Sequence, residues 1–285
     1  MTDWSSVPLP DTWPDQVPWW RPGQWPRLWR KLSGKLREPV RLPDGVPGAD
    51  SLPRYLLLEF HNLPNGNYSR NITRGYARGF DHAMLGTLHK GRRRIAEALQ
   101  GARRVLDLGS GAGHLAAALR ASGNTDVWGL EPSPYLLQLA AKSQPDVTWR
   151  HGVGEDSGLP DAHFDAVGIC FVLHEVPPTY LRRILAELRR ITVPGARLAV
   201  LEPSPLQWHH GIRRMWASHG WRGVYFRLLA MRVYEPFAEA WHKQDFAALL
   251  AEHGFVVERD DTDCPFRFVV ARRVDPPIPQ GTPDP

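Results

Sequence analysis

Apolar residues return along this chain with two different periods, and the places where the period changes mark its elements. From Ser69 to Leu99, Ile72, Tyr76, Phe80 and Met84 recur every fourth residue, which puts them on one face of a helix. Beyond that point short apolar, β-branched runs alternate with helical stretches. The runs predict strands at 103–108, 126–131, 147–151, 164–171 and 196–202, with helices at 112–122, 133–143 and 177–191 between them. Residues 204–239, with Trp208, Met215, Trp216, Trp221, Tyr225 and Phe226, interrupt the alternation and read as a helical insertion rich in large aromatics. The alternation resumes with a helix at 242–253 and strands at 255–260 and 266–272. Apolar strands alternating with helices imply an α/β fold with a mostly parallel sheet covered on both faces.

The ends of the chain differ from this core. Residues 1–66 form an arm rich in Trp, Pro and Arg, where only Trp25, Leu28, Trp29, Leu32 and Leu36 show helical spacing. Residues 274–285 are mostly proline and polar residues and are expected to be disordered. The core is therefore expected over 67–273, with 204–239 as a lid.

The chemistry begins at the first strand. Val105-Leu106-Asp107-Leu108-Gly109-Ser110-Gly111-Ala112-Gly113-His114 reads as a buried strand ending in an acid and three alternating glycines, then a helix. Such glycines let the backbone turn sharply and approach a ligand. The next strand ends in Glu131-Pro132, where an acid can accept hydrogen bonds from both hydroxyls of a ribose. A dinucleotide site wants its third glycine where His114 stands, and Asp107 would repel a pyrophosphate but attract a sulfonium or an ammonium.

On these residues the chain, from about 68 to 273, resembles the class I S-adenosylmethionine-dependent methyltransferases, and among them those of ubiquinone and menaquinone biosynthesis. The resemblance implies a Rossmann-like, seven-stranded sheet with S-adenosyl-L-methionine as cofactor. The acceptor is read instead from the aromatic segments outside the core, 69–99 and 204–239, whose walls suit a small aromatic or lipophilic molecule, methylated on carbon or oxygen. Asp107, Gly109, Ser110, Gly111, Gly113, Glu131 and Pro132 would hold the cofactor, with Phe171 at the end of the fourth strand. The adenine segment departs from the family's usual acid-Ala pair. It reads Val153-Gly154 followed by Glu155-Asp156, which leaves backbone N–H groups and Glu155 to meet the ring.

Strand four ends in Leu173-His174-Glu175, beyond which ligands of open α/β sheets sit. His174, with Glu175 beside it, is the expected catalytic residue, either as a general base or as a structural histidine capping the strand. Glu202, at the end of strand five, is a second candidate. Tyr76, Phe80, His209 and Tyr225, from the two segments outside the core, are expected to wall the acceptor.

The net charge of +5 is concentrated between Arg21 and Arg41, where Arg21, Arg27, Arg30, Lys31, Lys35, Arg37 and Arg41 face a single acid, Glu38, and Trp25 and Trp29 lie among them. This suits an arm clasped over the core, or one resting on an anionic membrane. Nucleic acid is the weaker expectation, because an Asn/Asp-Pro-Pro-Tyr motif is missing after strand four. An RNA or protein methyltransferase using this arm, and a non-catalytic cofactor-binding regulator, are the alternatives to a small-molecule enzyme. Two cysteines, Cys170 and Cys264, form neither a disulfide framework nor a metal-ligand spacing. A cytoplasmic enzyme, peripheral to the membrane at most and without a metal, is expected.

Overall fold

A computed structural model describes residues 2–275. Seven strands form one sheet: β1 (Arg104–Leu108), β2 (Asp126–Glu131), β3 (Thr148–His151), β4 (Phe164–Cys170), β5 (Thr192–Pro203), β6 (Phe255–Thr262) and β7 (Phe266–Arg273). Their order is β3-β2-β1-β4-β5-β7-β6, and only β7 runs against its neighbours. The chain winds outward in opposite directions from β1 and β4. Their carboxyl ends therefore open the crevice in which doubly wound sheets bind ligands.

The helices in chain order are α1 (Trp13–Gln16), α2 (Trp25–Leu32), α3 (Arg70–Ala83), α4 (Thr87–Ala98), α5 (His114–Ala121), α6 (Pro134–Ser143), α7 (Pro178–Ile191), α8 (Leu206–His209), α9 (Ile212–Arg232), α10 (Ala238–His242) and α11 (Phe246–Glu252). On one face of the sheet α7 and α11 bury Leu181, Ile184, Leu188 and Leu250. On the other, α4, α5 and α6 bury Leu88, Ile95, Leu119 and Leu137.

Three expectations about elements need correction. The single helix over 69–99 is two, because Leu85 (φ 51°) and Gly86 (φ 69°) turn left-handed and the Thr87 hydroxyl donates to Met84 O at 2.6 Å, which starts α4 afresh. The helix over 242–253 is also split, since the Asp245 carboxylate accepts from Ala248 N and caps α11. The insertion is mostly α9, broken where Gly220 takes φ 60°, ψ −153°. Of the tail, residues 276–285 lie outside the described residues.

The arm is folded against the core. Leu9, Val40, Val46 and Leu52 bury themselves with Tyr68 and Tyr135. The Asp15 carboxylate accepts from the backbone N–H groups of Arg70 and Asn71 and from the Ser69 hydroxyl, which caps the first turn of α3. Lys31, one of the basic residues of the arm, is buried. Its ammonium sits 2.7 Å from Glu59 and 2.8 Å from Glu38.

Candidate functional site

The carboxyl ends of β1, β2 and β4 line a cavity that opens to solvent. Its floor is the turn after β1. Gly109, Gly111 and Gly113 all have positive φ, but only Gly111 faces open space, where an added Cβ would meet nothing within 4 Å. At Gly109 a Cβ would strike Val172 at 2.6 Å, and at Gly113 it would meet Ala140 and Trp149 at 3.1 Å. One glycine thus opens the cavity and two permit packing behind it.

Two buried carboxylates line this cavity. Glu131 is pinned by its two oxygens, one accepting from Gly111 N and the other from Ser133 N, each at 2.8 Å. Asp107 accepts from Ala116 N at 2.9 Å. Burial pushes both carboxyls up, to about 7. Carboxylates in such surroundings favour a ligand that brings hydroxyls and positive charge. Pro132, Ser110, Val153, Gly154 and Phe171 complete the lining.

A second cavity is apolar and lies between α3 and α9. Tyr76, Phe80 and Phe171 line both cavities and so form their common wall. Phe171 holds φ 60°, a conformation that costs an aromatic residue about 1–3 kcal/mol and clusters at functional sites. Beside this wall stands His61 from the arm, stacked on Tyr76 with ring centroids 5.2 Å apart. Its Nε2 lies 3.1 Å from Glu175 and 3.5 Å from Glu235, while its Nδ1 is buried without a partner among the described residues. Burial opposes charge on this imidazole, but Glu175 and Glu235 outweigh it and hold the pKa up, to about 9. Glu235 is only partly exposed, which opposes its charge, yet His174 and His61 keep its carboxyl well below the usual range.

Comparison with known proteins identifies the scaffold. The methyltransferase domain family matches residues 106–200. An uncharacterised methyltransferase of Synechocystis is 34% identical over 167 residues, 57% of this chain and 71% of its own. The chain belongs to the class I S-adenosylmethionine-dependent methyltransferases. A demethylmenaquinone methyltransferase of Beutenbergia cavernae is 36% identical over 141 residues, 48% of this methyltransferase and 57% of its own length. The mitomycin 7-O-methyltransferase shares the fold at 23% identity with a TM-score of 0.50, over 72% of this chain and 60% of its own.

The cofactor of this family, S-adenosylmethionine, carries a ribose, a sulfonium and an ammonium. The cradle fits it: a pinned carboxylate at the end of β2, open space over Gly111, and a second buried carboxylate at Asp107. The methyltransferase places the other sequence candidates as follows. Glu175 lines the cofactor cavity, as do Val153 and Gly154. Glu155 does not, because both its oxygens accept from the Tyr55 hydroxyl of the arm.

His174 is fully buried and lines neither cavity. Its Nδ1 meets Glu202 at 2.5 Å, and its Nε2 stands 3.7 Å from Glu235. Glu202 also accepts from the backbone N–H groups of Val172 and Leu173, so this pair fixes the β4 loop from behind. A histidine sealed there cannot take a proton from an acceptor. Burial opposes its charge, but Glu202 and Glu235 hold its pKa well above the ordinary value. His209 is exposed and lines neither cavity. Tyr225 ties α9 to α3 by donating to Ala83 O at 2.7 Å, and Phe226 next to it faces the cavity instead. His61 and Glu235 were missed on sequence, since the arm and the end of the insertion show no local signature of a site. The one hint is composition: His, Asn and Gly tolerate positive φ, and His61, Asn62, Asn65 and Gly66 all adopt it.

Proposed function

We propose that this methyltransferase acts on a small lipophilic acceptor with an ionisable ring hydroxyl, a phenol or a reduced quinone, on that oxygen or the adjacent ring carbon. The carrying observation is the apolar cavity that shares Tyr76, Phe80 and Phe171 with the cofactor cradle and is walled by His61, whose Nδ1 is buried without a partner among the described residues. The demethylmenaquinone methyltransferase among its relatives points the same way.

S-adenosylmethionine, when bound, supplies the electrophilic methyl. The work of the chain is to orient, dry and deprotonate. The aromatic wall aligns a flat ring with the cradle and keeps water out. His61, with a pKa of about 9, is close to matched with a phenol of about 10. In the neutral form, which gains population as pH rises toward about 9, the hydroxyl proton passes to Nδ1, and the resulting imidazolium pairs with the phenolate. Glu175 and Glu235 favour the charged imidazole through Nε2, and the proton leaves to solvent after product release. His61→Gln should lower turnover by about 10² while leaving cofactor affinity nearly unchanged. The acceptor class is tested by transfer of labelled methyl into fractionated cell extract. Label in the lipid-soluble small-molecule fraction is expected, and label confined to RNA or protein would overturn the reading.

A further inference from the structure

The inner face of α9 walls the apolar cavity with Phe226, Leu229 and Ala230, and Ile212, Trp216, Trp221, Leu228 and Met231 on the rest of the helix are exposed. The outer face is thus apolar where a soluble helix is normally polar. In the second half of α9, Trp221, Leu228 and Met231 are exposed at spacings of seven and three residues, which puts them on one stripe. In the first half, Ile212 and Trp216 repeat the pattern four residues apart, with Trp216 62% exposed. Charge flanks the stripes. Residues 212–232 contain Arg213, Arg214, Arg222, Arg227 and Arg232 and not one Asp or Glu. Arg213, Arg214 and Arg222 pair with no carboxylate among the described residues, and Asp263 lies 3.7 Å from His219. Exposed tryptophan with arginine on both sides is the composition that settles in the headgroup layer of a bilayer. Among the described residues no helix is long and apolar enough to cross one.

We infer that α9 is a membrane-docking element whose outer face rests on an anionic phospholipid surface, so that the cavity behind it fills directly from the lipid phase. Charge complementarity and the tryptophan stripe select an anionic bilayer as the occupant. The choice of a bilayer over an acidic protein rests on the reading of the acceptor as lipid-soluble. Docking through α9 differs from docking through the arm. Trp25 and Trp29 of α2 are also exposed, but they do not line the acceptor cavity.

The test is co-sedimentation of the full chain with vesicles, without acceptor or cofactor. Wild type should bind phosphatidylglycerol-containing vesicles and not pure phosphatidylcholine ones. Binding should fall sharply at about 0.5 M salt, where the screening length shrinks to a few Å. The variant W216A/W221A/R213E/R222E, checked for an unchanged melting temperature, should bind at least about tenfold more weakly. Its methyl transfer to a water-soluble phenol in vesicle-free buffer should match wild type. The inference is overturned if wild type ignores anionic vesicles, if it binds an RNA oligonucleotide in preference to them, or if the quadruple variant binds as wild type does. Loss of vesicle binding in W25A/W29A but not in the α9 variant would also overturn it and move docking to the arm. Vesicle binding and transfer to a soluble phenol are separate readouts, so failure of one leaves the other interpretable.

Discussion

At the scale of single residues, the site rests on acids held in fixed positions and on one histidine whose pKa is raised. Glu131 has both oxygens pinned by backbone N–H groups, so its remaining lone pairs are aimed before any ligand arrives. Glu131→Ala is expected to weaken S-adenosylmethionine binding by at least about tenfold in calorimetry, since hydrogen bonds to a charged group are each worth about 1.5–3 kcal/mol. For His61 the sign of the pH effect follows from its raised pKa. Its contribution to stability is whole below the ordinary value of 6.5 and is lost as pH rises through about 9. Denaturant midpoints of wild type and His61→Gln should therefore differ most near pH 6 and converge above pH 9. Turnover with a phenol should rise with pH toward about 9 in wild type, and that rise should vanish in the variant. A histidine that serves packing alone would show the first effect without the second.

At the scale of elements, what could be read in advance was what is local in sequence. The turn from β1 into α5 and the acid ending β2 are contiguous motifs, and strand, glycines and carboxylates are visible there as a string. His61 and Glu235 are separated by most of the chain and meet only because His61 N donates to Tyr234 O and Asn62 donates to Arg232 O. Long-range pairing of that kind leaves no period to read. His174 misled for the opposite reason: its place after β4 is right for a base, but burial behind Phe171, which only packing decides, removes it from the cavity. The three glycines also look alike in sequence and differ in their neighbours. Gly111→Val should abolish cofactor binding, while its positive φ adds strain of about 1–2 kcal/mol that leaves the sheet folded. Gly109→Val should instead lower stability through its clash with Val172. Thermal melts beside calorimetry separate the two. In the arm, Lys31→Ala strands Glu59 in the interior and should cost about 3–5 kcal/mol. A fall of melting temperature on the order of 10 °C would register it.

At the scale of the whole molecule, the cradle for the methyl donor belongs to the sheet, and the acceptor cavity belongs to what surrounds it. Tyr55, Leu56, Leu58 and Phe60 of the arm reach into the cofactor cavity as well. Removal of residues 1–66 is therefore expected to weaken S-adenosylmethionine binding by about tenfold or more and to lower methyl transfer by at least about 10², because His61 leaves with it; calorimetry and a transfer assay on the truncated chain check both. The hydrogen bonds from His61 N to Tyr234 O and from the Asn62 side-chain amide to Arg232 O carry a further consequence for transplantation. A chimera that takes the 204–239 insertion from a relative without its matching arm would receive half of a socket, with Glu235 facing a foreign loop. Substrate preference in this fold should move between enzymes only as a pair of distant segments inherited together.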